Sequence, residues 1–301
     1  MNALVRTASR LMPANSQVRQ TLTVAYGDWK VRRARRALQR AGAALPEFLP
    51  RERLPALMSE GFQPPPAVRY DPEGLRLRAV EKVERLSAMV GLDGVRRTLE
   101  LGAWDGMVGR ELAQRGIQAV ALDVVMAGLD ARARRDGVRF VQSDAGSIAL
   151  ASESIDLVCS FGSLEHFPRP DRALAEVHRV LRRAGRALFN FGPLYFSPYG
   201  RHAYRQIPVP FCHLLFEEPA LHDWAVSAGL PHEWPFVNGW SLNQYRALWT
   251  AFSDRFRVIS NDEHSTGGVG LELVSRFPQC FRGISVDDLL VTQIDIVLEK
   301  R

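Results

Sequence analysis

Short apolar runs alternate with amphipathic segments through the middle of the chain. Runs typical of buried strands lie at 98–101, 119–122, 138–142, 155–160 and 186–191. The segments between them carry apolar positions at helical spacing, as in 107–115 and 171–183, where Gly185 is expected to end the helix. Strands that alternate with helices predict an α/β fold whose parallel sheet is covered on both faces. Such sheets bind ligands at the carboxyl ends of their strands.

The segments on either side of this core predict further elements. A helix over 72–91 opens on Pro72 and closes on Gly91, the residues that helices favour at these ends. Behind the fifth strand the pattern predicts helices at 218–228, 242–252, 269–277 and 286–290, and strands at 255–260 and 292–299. Ser241 is the expected cap of the helix at 242–252.

Proline content marks the boundary between two parts of the chain. Residues 44–69 are rich in proline and predict an extended connector. We therefore expect an N-terminal helical and extended cap segment over 1–70 and a second domain over 71–301. An irregular, aromatic insertion at about 193–253 follows the fifth strand, and long irregular segments at the ligand edge of a sheet often carry function.

The charge of the chain is concentrated at its N-terminus. The 301 residues carry a net charge of +6, but residues 1–45 hold nine Lys or Arg against a single acid, so the rest is slightly acidic. Within the predicted helix Trp29–Ala41, a narrow apolar stripe of Val31, Ala34 and Leu38 opposes the arginines, which predicts a solvated basic face. We expect no nucleic-acid partner, with RNA as a weaker alternative, and a homodimer could form through this segment.

Cysteine usage and hydropathy indicate the cellular compartment of the protein. The three cysteines, Cys159, Cys212 and Cys280, are far apart and form no CxxC, which argues against disulfides and a zinc site. No apolar run reaches the roughly 18 residues of a membrane span. We expect a cytoplasmic protein with no membrane partner.

The strand–turn–helix–strand unit at 98–125 carries the first chemical signal. Its first strand runs into Gly102 and Gly106, and its second strand stops on Asp123. Glycines at the first turn let the backbone approach a ligand, and a carboxylate at the tip of the second strand accepts from ribose hydroxyls. This layout is typical of nucleotide binding. A dinucleotide oxidoreductase is disfavoured because the first turn lacks Gly-x-Gly-x-x-Gly.

Several motifs in order resemble the class I S-adenosylmethionine-dependent methyltransferases that act on small molecules, of the type 11-like group. The family's first motif, acidic-x-Gly-x-Gly-x-Gly, matches at Glu100, Gly102 and Gly106, with Trp104 in place of the middle glycine. The stretch from Ile155 to Phe189 is similar to the family's fourth strand, loop, helix and fifth strand. Its Arg-Val-Leu-x-x-Gly-Gly ending matches at 179–181 and 185, with Arg186 in place of the second glycine.

The resemblance implies a fold, a cofactor and a binding site. The fold is a doubly wound, Rossmann-like, seven-stranded and mostly parallel sheet with helices on both faces and an antiparallel last strand. The cofactor is S-adenosylmethionine, and the product is S-adenosylhomocysteine. The implied donor-binding residues are Glu100, Gly102, Ala103, Trp104, Gly106, Asp123, Val124, Asp144, Ala145, Phe161 and Leu164. Asp123 would hold the ribose, and Asp144-Ala145 would read the adenine edge.

Four residues are candidates for catalysis. His166 follows the fourth strand, where the family places its donor beside its acceptor, and it is either a base or acceptor anchor or a loop histidine that caps backbone. His202, His213 and Tyr195 lie in the insertion, which is either a lid with polar groups or a packed aromatic loop. No pair has tight ligand spacing, so we expect no metal.

The expected function is in-line methyl transfer to oxygen or nitrogen, with carbon left open, of a small molecule such as a natural product or a sugar-type metabolite. Because the sulfonium donor is already activated, the enzyme chiefly aligns the reactants. Two alternatives remain open: a cyclase or lyase that consumes the same donor, and a non-catalytic binding subunit, which the replacements at Trp104 and Arg186 would suit.

Overall fold

The computed structural model describes the backbone of residues 17–301 and the side chains from residue 24 onward, so Arg6, Arg10 and the Arg19 side chain of the basic segment lie outside the described part. The chain forms two compact units. The first takes the N-terminal part up to Pro64 with Phe196–Trp234 and Ser265–Thr292. The second takes Pro65–Tyr195, Pro235–His264 and Gln293–Arg301. The predicted insertion therefore contributes to both units.

The regular elements are numbered in chain order. The helices are α1 (Gln17–Ala41), α2 (Leu54–Met58), α3 (Pro72–Val90), α4 (Met107–Ala113), α5 (Ala131–Arg135), α6 (Pro170–Val180), α7 (Cys212–Leu215), α8 (Glu218–Ser227), α9 (Leu242–Ala251), α10 (Leu271–Arg276) and α11 (Val286–Leu290). The strands are β1 (Arg97–Leu101), β2 (Gln118–Asp123), β3 (Arg139–Gln142), β4 (Ile155–Phe161), β5 (Leu181–Phe191), β6 (Phe256–Ser265) and β7 (Val291–Lys300).

The strands form one seven-stranded sheet in the order β3-β2-β1-β4-β5-β7-β6. The pairs β1–β2, β1–β4, β2–β3 and β4–β5 are parallel. β7 pairs with β5 in the antiparallel sense, with Phe189 opposite Ile296. The predicted Rossmann-like sheet with an antiparallel last strand is confirmed. Its topology brings the carboxyl ends of β1, β2, β3 and β4 to one edge.

Apolar periodicity explains how α3 packs on this sheet. Ala79, Val83 and Leu86 share one face of the helix and are buried in one core cluster with residues of β2, β4 and β5. The Asp71 side chain accepts from the backbone N–H of Gly74 at 3.0 Å, and Gly91 ends the helix with a φ of 78°. The predicted start at Pro72 and end at Gly91 are therefore confirmed, and so is the Ser241 cap of α9, where Gln244 completes a capping box.

Two local expectations are wrong. Gly185 does not end α6, which stops at Val180; Leu181 already pairs with Ile155 in β5, and a register shift follows before Arg186 pairs with Leu157. Pairing with β4 overrides the helical pattern, and the polar residues of the shift stay outside the ladder. The predicted extended connector contains a 3-10 turn at Arg51–Arg53 and the short helix α2. Burial of Leu57 stabilises α2, and the high proline content of the segment gave no sign of this helix.

In the first unit, α1 packs against α10 and the turn at Pro278–Phe281. Ala34 is fully buried and Val31 and Leu38 are half-buried, so the predicted stripe is confirmed. The Lys30 ammonium donates to the Gly268 carbonyl at 3.0 Å, and Arg282 donates to the Ala41 carbonyl at 2.8 Å. Within residues 17–301, no helix combines the length and apolar character that crossing a bilayer requires.

Candidate functional site

Two glycines give the turn between β1 and α4 its close contacts. Gly102 has a φ of 67° and Gly106 a φ of 70°, both in the left-handed region that favours glycine. A Cβ on Gly102 would lie 2.3 Å from Ser163 Oγ, and one on Gly106 would lie 2.5 Å from Phe140 Cε1. The backbone N–H groups of Gly102 and Ala103 both donate to the Leu122 carbonyl at the end of β2. Glycine is therefore required at both positions by conformation and by space.

Glu100 is a buried carboxyl group just before this turn. Burial raises its pKa from 4.5 to about 8, the negative charge of Asp105 adds to this effect, and the positive charge of Lys82 opposes it. Its Oε2 has no hydrogen-bond partner within the described residues. Because a buried carboxylate is costly unless it is paired, this oxygen suits a cationic or hydrogen-donating ligand group.

Asp123 ends β2 beside the turn. Its Oδ2 accepts from the backbone N–H of Trp104 at 2.8 Å, and its Oδ1 accepts from that of Val125 at 2.9 Å. Two N–H donors fix the plane of the carboxylate, and each oxygen keeps a further lone pair. Val124 and Val125 are 57% and 45% exposed, so an apolar surface adjoins the carboxylate.

The Trp104 side chain lies beside the turn. Its indole packs against Gly128 in the loop after β2, where an added Cβ would lie 2.7 Å from Trp104 Cε2. The residue has a φ of 46° and is half exposed. The replacement of the middle glycine is therefore accommodated by a backbone hydrogen bond and by a glycine on the neighbouring loop.

Asp144 and Ala145 follow β3. Asp144 is exposed, and its Oδ1 accepts from the backbone N–H of Gly146 at 2.6 Å, which shapes a tight turn. Ala145 is buried. β3 lies next to β2, so both aspartates stand at the same edge of the sheet.

Phe161 is the last residue of β4 and Leu164 lies in the loop behind it, and both are buried. The Lys82 ammonium lies 5.3 Å from the centroid of the Phe161 ring. Lys82 was missed in the sequence because a lysine between buried positions of an amphipathic helix has the pattern of a solvated residue. Its charge acts on both buried carboxyls of this region, Glu100 and Glu165.

Glu165 was also missed. Its side chain is buried, Oε1 accepts from the backbone N–H of Gly192 at 3.0 Å, and Oε2 has no hydrogen-bond partner within the described part of the chain. Burial raises its pKa to about 8. A glutamate in a polar loop resembles a surface residue in sequence, and only the contact with the end of β5 shows otherwise.

His166 completes a short 3-10 turn at Leu164–His166. Its Nδ1 lies 2.5 Å from the Phe236 carbonyl oxygen, so this nitrogen carries the proton and the lone pair is on Nε2. Burial lowers its pKa, which favours the neutral ring. Asn238 fixes the same turn, since its Nδ2 donates to the carbonyls of Leu164 and Phe167, both at 3.1 Å.

The other catalytic candidates are divided between the units. Tyr195 is half-buried in the second unit, two residues after the cis peptide bond Gly192–Pro193. His202 and His213 belong to the first unit. His202 has a φ of 60° and donates its backbone N–H to the Tyr199 carbonyl, and His213 is buried in α7.

The strands that form this edge of the sheet are similar in sequence to known proteins. The family model of a methyltransferase domain matches residues 99–189. The demethylmenaquinone methyltransferase of Renibacterium salmoninarum is 28% identical over 174 residues, which are 53% of this chain and 72% of that protein. The malonyl-[acyl-carrier protein] O-methyltransferase of Methylococcus capsulatus is 37% identical over 100 residues, which are 31% of this chain and 36% of that protein.

A solved protein of Pyrococcus horikoshii OT3 aligns with 77% of this chain and 93% of its own, at 16% identity and a TM-score of 0.49. The chain spans less than half the length of several curated relatives. The family match covers β1 to β5, the strands that carry the glycine turn, Asp123 and the loop of His166. Residues 99–189 of this chain are therefore similar to the methyltransferase domain of class I S-adenosylmethionine-dependent methyltransferases.

Proposed function

We propose that the chain transfers a methyl group from S-adenosylmethionine to an oxygen or nitrogen of a small molecule. The observation that carries this proposal is the grouping of three features at one sheet edge: the glycine turn, the fixed carboxylate of Asp123, and the buried Glu100, whose Oε2 has no hydrogen-bond partner among the described residues. The name of the Methylococcus relative, an O-methyltransferase, supports oxygen as an acceptor atom.

The residues at this edge fit the donor in charge and shape. The backbone of Gly102–Gly106 would approach the amino-acid part, and the Glu100 carboxylate would pair with its ammonium group. Asp123 would accept from the ribose hydroxyls. Val124, Asp144 and Ala145 would bound the adenine, and Phe161 and Leu164 would close the pocket from the β4 side.

The bound donor supplies an activated methyl group on a sulfonium. The protein's part is then alignment and proton transfer, and alignment alone lowers barriers by up to about 7–11 kcal/mol in well-oriented systems. His166 is the proposed base: its Nδ1–H is directed at the Phe236 carbonyl, and Nε2 would take the proton that an acceptor hydroxyl or ammonium loses. Tyr195, His202 and His213 remain candidates for acceptor binding.

The wider assignments are part of the same proposal. We place the methyltransferase domain at 71–301 after an N-terminal segment of 1–70, and we propose that this segment forms a homodimer contact. The three cysteines are free and buried, which agrees with a cytoplasmic location.

Calorimetric titration with S-adenosylhomocysteine tests the donor site, and a metabolite screen by mass spectrometry tests the transfer. We expect product binding and a mass gain of one methyl in the acceptor. Absence of binding would refute the donor site. Methylthioadenosine as product would indicate a cyclase or lyase, and donor binding without turnover of any acceptor would favour a binding subunit.

A further inference from the structure

Trp104 has a backbone conformation that tryptophan rarely adopts. Its φ of 46° lies in the left-handed region, between Gly102 and Gly106, which are left-handed as well. The conformation is held by the N–H of Trp104, which donates to Asp123 Oδ2 at 2.8 Å. Backbone strain of this kind persists where surrounding contacts over-determine it, and such places cluster at functional sites.

Gly128 is matched to the Trp104 side chain. A Cβ at residue 128 would lie 2.7, 2.8 and 3.0 Å from Trp104 Cε2, Cδ2 and Nε1. The φ of Gly128 is outside the left-handed range, so its backbone conformation is open to any residue. The glycine at position 128 is therefore explained by the space that the indole needs. It is not explained by the backbone conformation.

Trp104 and the residues that follow Asp123 expose apolar side chains at this edge of the sheet. Trp104 is 50% exposed, and Val124 and Val125, which follow Asp123 directly, are exposed to a similar degree. Trp104 binds Asp123 through its backbone and reaches the loop after β2 with its ring. An aromatic face beside a carboxylate suits a ligand that combines a flat ring system with a diol, as a nucleoside does.

We propose that Trp104 is a specificity residue for the nucleoside half of the donor, with its indole as an aromatic wall beside the ribose carboxylate. The inference rests on the proposed donor site. Where the family turn has a glycine, this chain has a ring that covers apolar faces of the bound nucleoside and is held in place by Gly128.

The test compares S-adenosylhomocysteine and adenosine binding by calorimetry in the wild type, Trp104→Ala and Trp104→Phe. Stacking of a base on an aromatic ring predicts about 10-fold weaker binding of both ligands by Trp104→Ala. Trp104→Phe keeps a ring and should retain most of the affinity. Tyr70→Ala, which removes another exposed aromatic ring of the second unit, is the matched control and should bind like the wild type.

Tryptophan fluorescence separates ring contact from a structural effect. Ligand addition should change the emission of the wild type, and most of that change should be absent in Trp104→Phe, which still binds. Gly128→Ala should displace the indole and weaken binding, and it should have no further effect in a Trp104→Gly background. Independent effects of these two substitutions would contradict the matched contact.

Two failures are distinguishable. If the wild type binds the product and Trp104→Ala binds it equally well, the donor site stands and the role of Trp104 is refuted. If the wild type binds neither S-adenosylhomocysteine nor adenosine, the donor site itself is refuted and the inference falls with it.

Discussion

The Glu100 carboxyl group makes the stability of the protein depend on pH. Burial raises its pKa in the folded state to about 8, against 4.5 for an exposed glutamate. Between these two values the folded protein holds a proton that the unfolded chain has released. Stability contributed by the buried neutral acid is therefore complete below pH 4.5, falls as the pH rises toward 8, and is then constant.

The size of this effect follows from the same values. One pKa unit corresponds to about 1.4 kcal/mol, so Glu100 costs the folded state at most about 5 kcal/mol above pH 8. Glu100→Gln cannot ionise and removes that cost. Urea unfolding at pH 5 and pH 8.5 should show a smaller loss of unfolding free energy in the variant than in the wild type. Glu165, whose pKa burial raises to about 8 as well, keeps part of the dependence in place.

Proton release on donor binding distinguishes Glu100 from Glu165. An ammonium group placed against Glu100 favours the carboxylate, so donor binding near pH 7 should release up to one proton. Calorimetry in two buffers of different ionisation enthalpy measures this release. We expect it in the wild type and in the matched control Glu165→Gln, and we expect it to vanish in Glu100→Gln. Equal proton release and equal pH dependence in all three proteins would refute the role given to Glu100.

Three further substitutions test separate parts of the structure. His166→Gln should lower kcat by a factor of about 100 or more with unchanged affinity for S-adenosylhomocysteine; an unchanged kcat would exclude His166 as the base. Asp123→Ala should weaken product binding by about 10- to 100-fold in calorimetry, because it removes a charged hydrogen-bond acceptor, and undiminished binding would contradict the ribose assignment. Asp295→Ala should lower the free energy of unfolding by about 2 kcal/mol, because this buried carboxylate accepts hydrogen bonds from Arg85 and His264. Thermal and urea unfolding measure the loss. An unchanged unfolding transition would contradict the stabilising role of this carboxylate.

The parallel sheet and the donor edge were predictable because their signals are local. The apolar runs of β1 and β4, Pro72 at the start of α3, the Ser241 cap and the glycines of the first turn are each encoded within a few residues of where they act. Asp123 was identified for the same reason, since it stands directly at the end of its strand.

The missed features depend on contacts between distant parts of the chain. Glu165 is buried because the end of β5 donates a backbone N–H to it, and Lys82 acts across the core from α3. The match of Gly128 to Trp104 joins residues on two different loops. Likewise, the start of β5 at Leu181 is set by its pairing with β4, which outweighs the local helical pattern.

Asn238 makes the order of chain synthesis relevant to the site. The glycine turn, Asp123 and Asp144 all lie within about fifty residues of sequence, so they form through local contacts that close early. The turn of Leu164 and His166 is held by Asn238, 74 residues further along from Leu164. A nascent chain that ends before Asn238 would therefore contain every residue of the donor edge while the turn beside the acceptor still lacks its clamp, and in the whole chain Asn238→Ala should lower turnover more than donor binding.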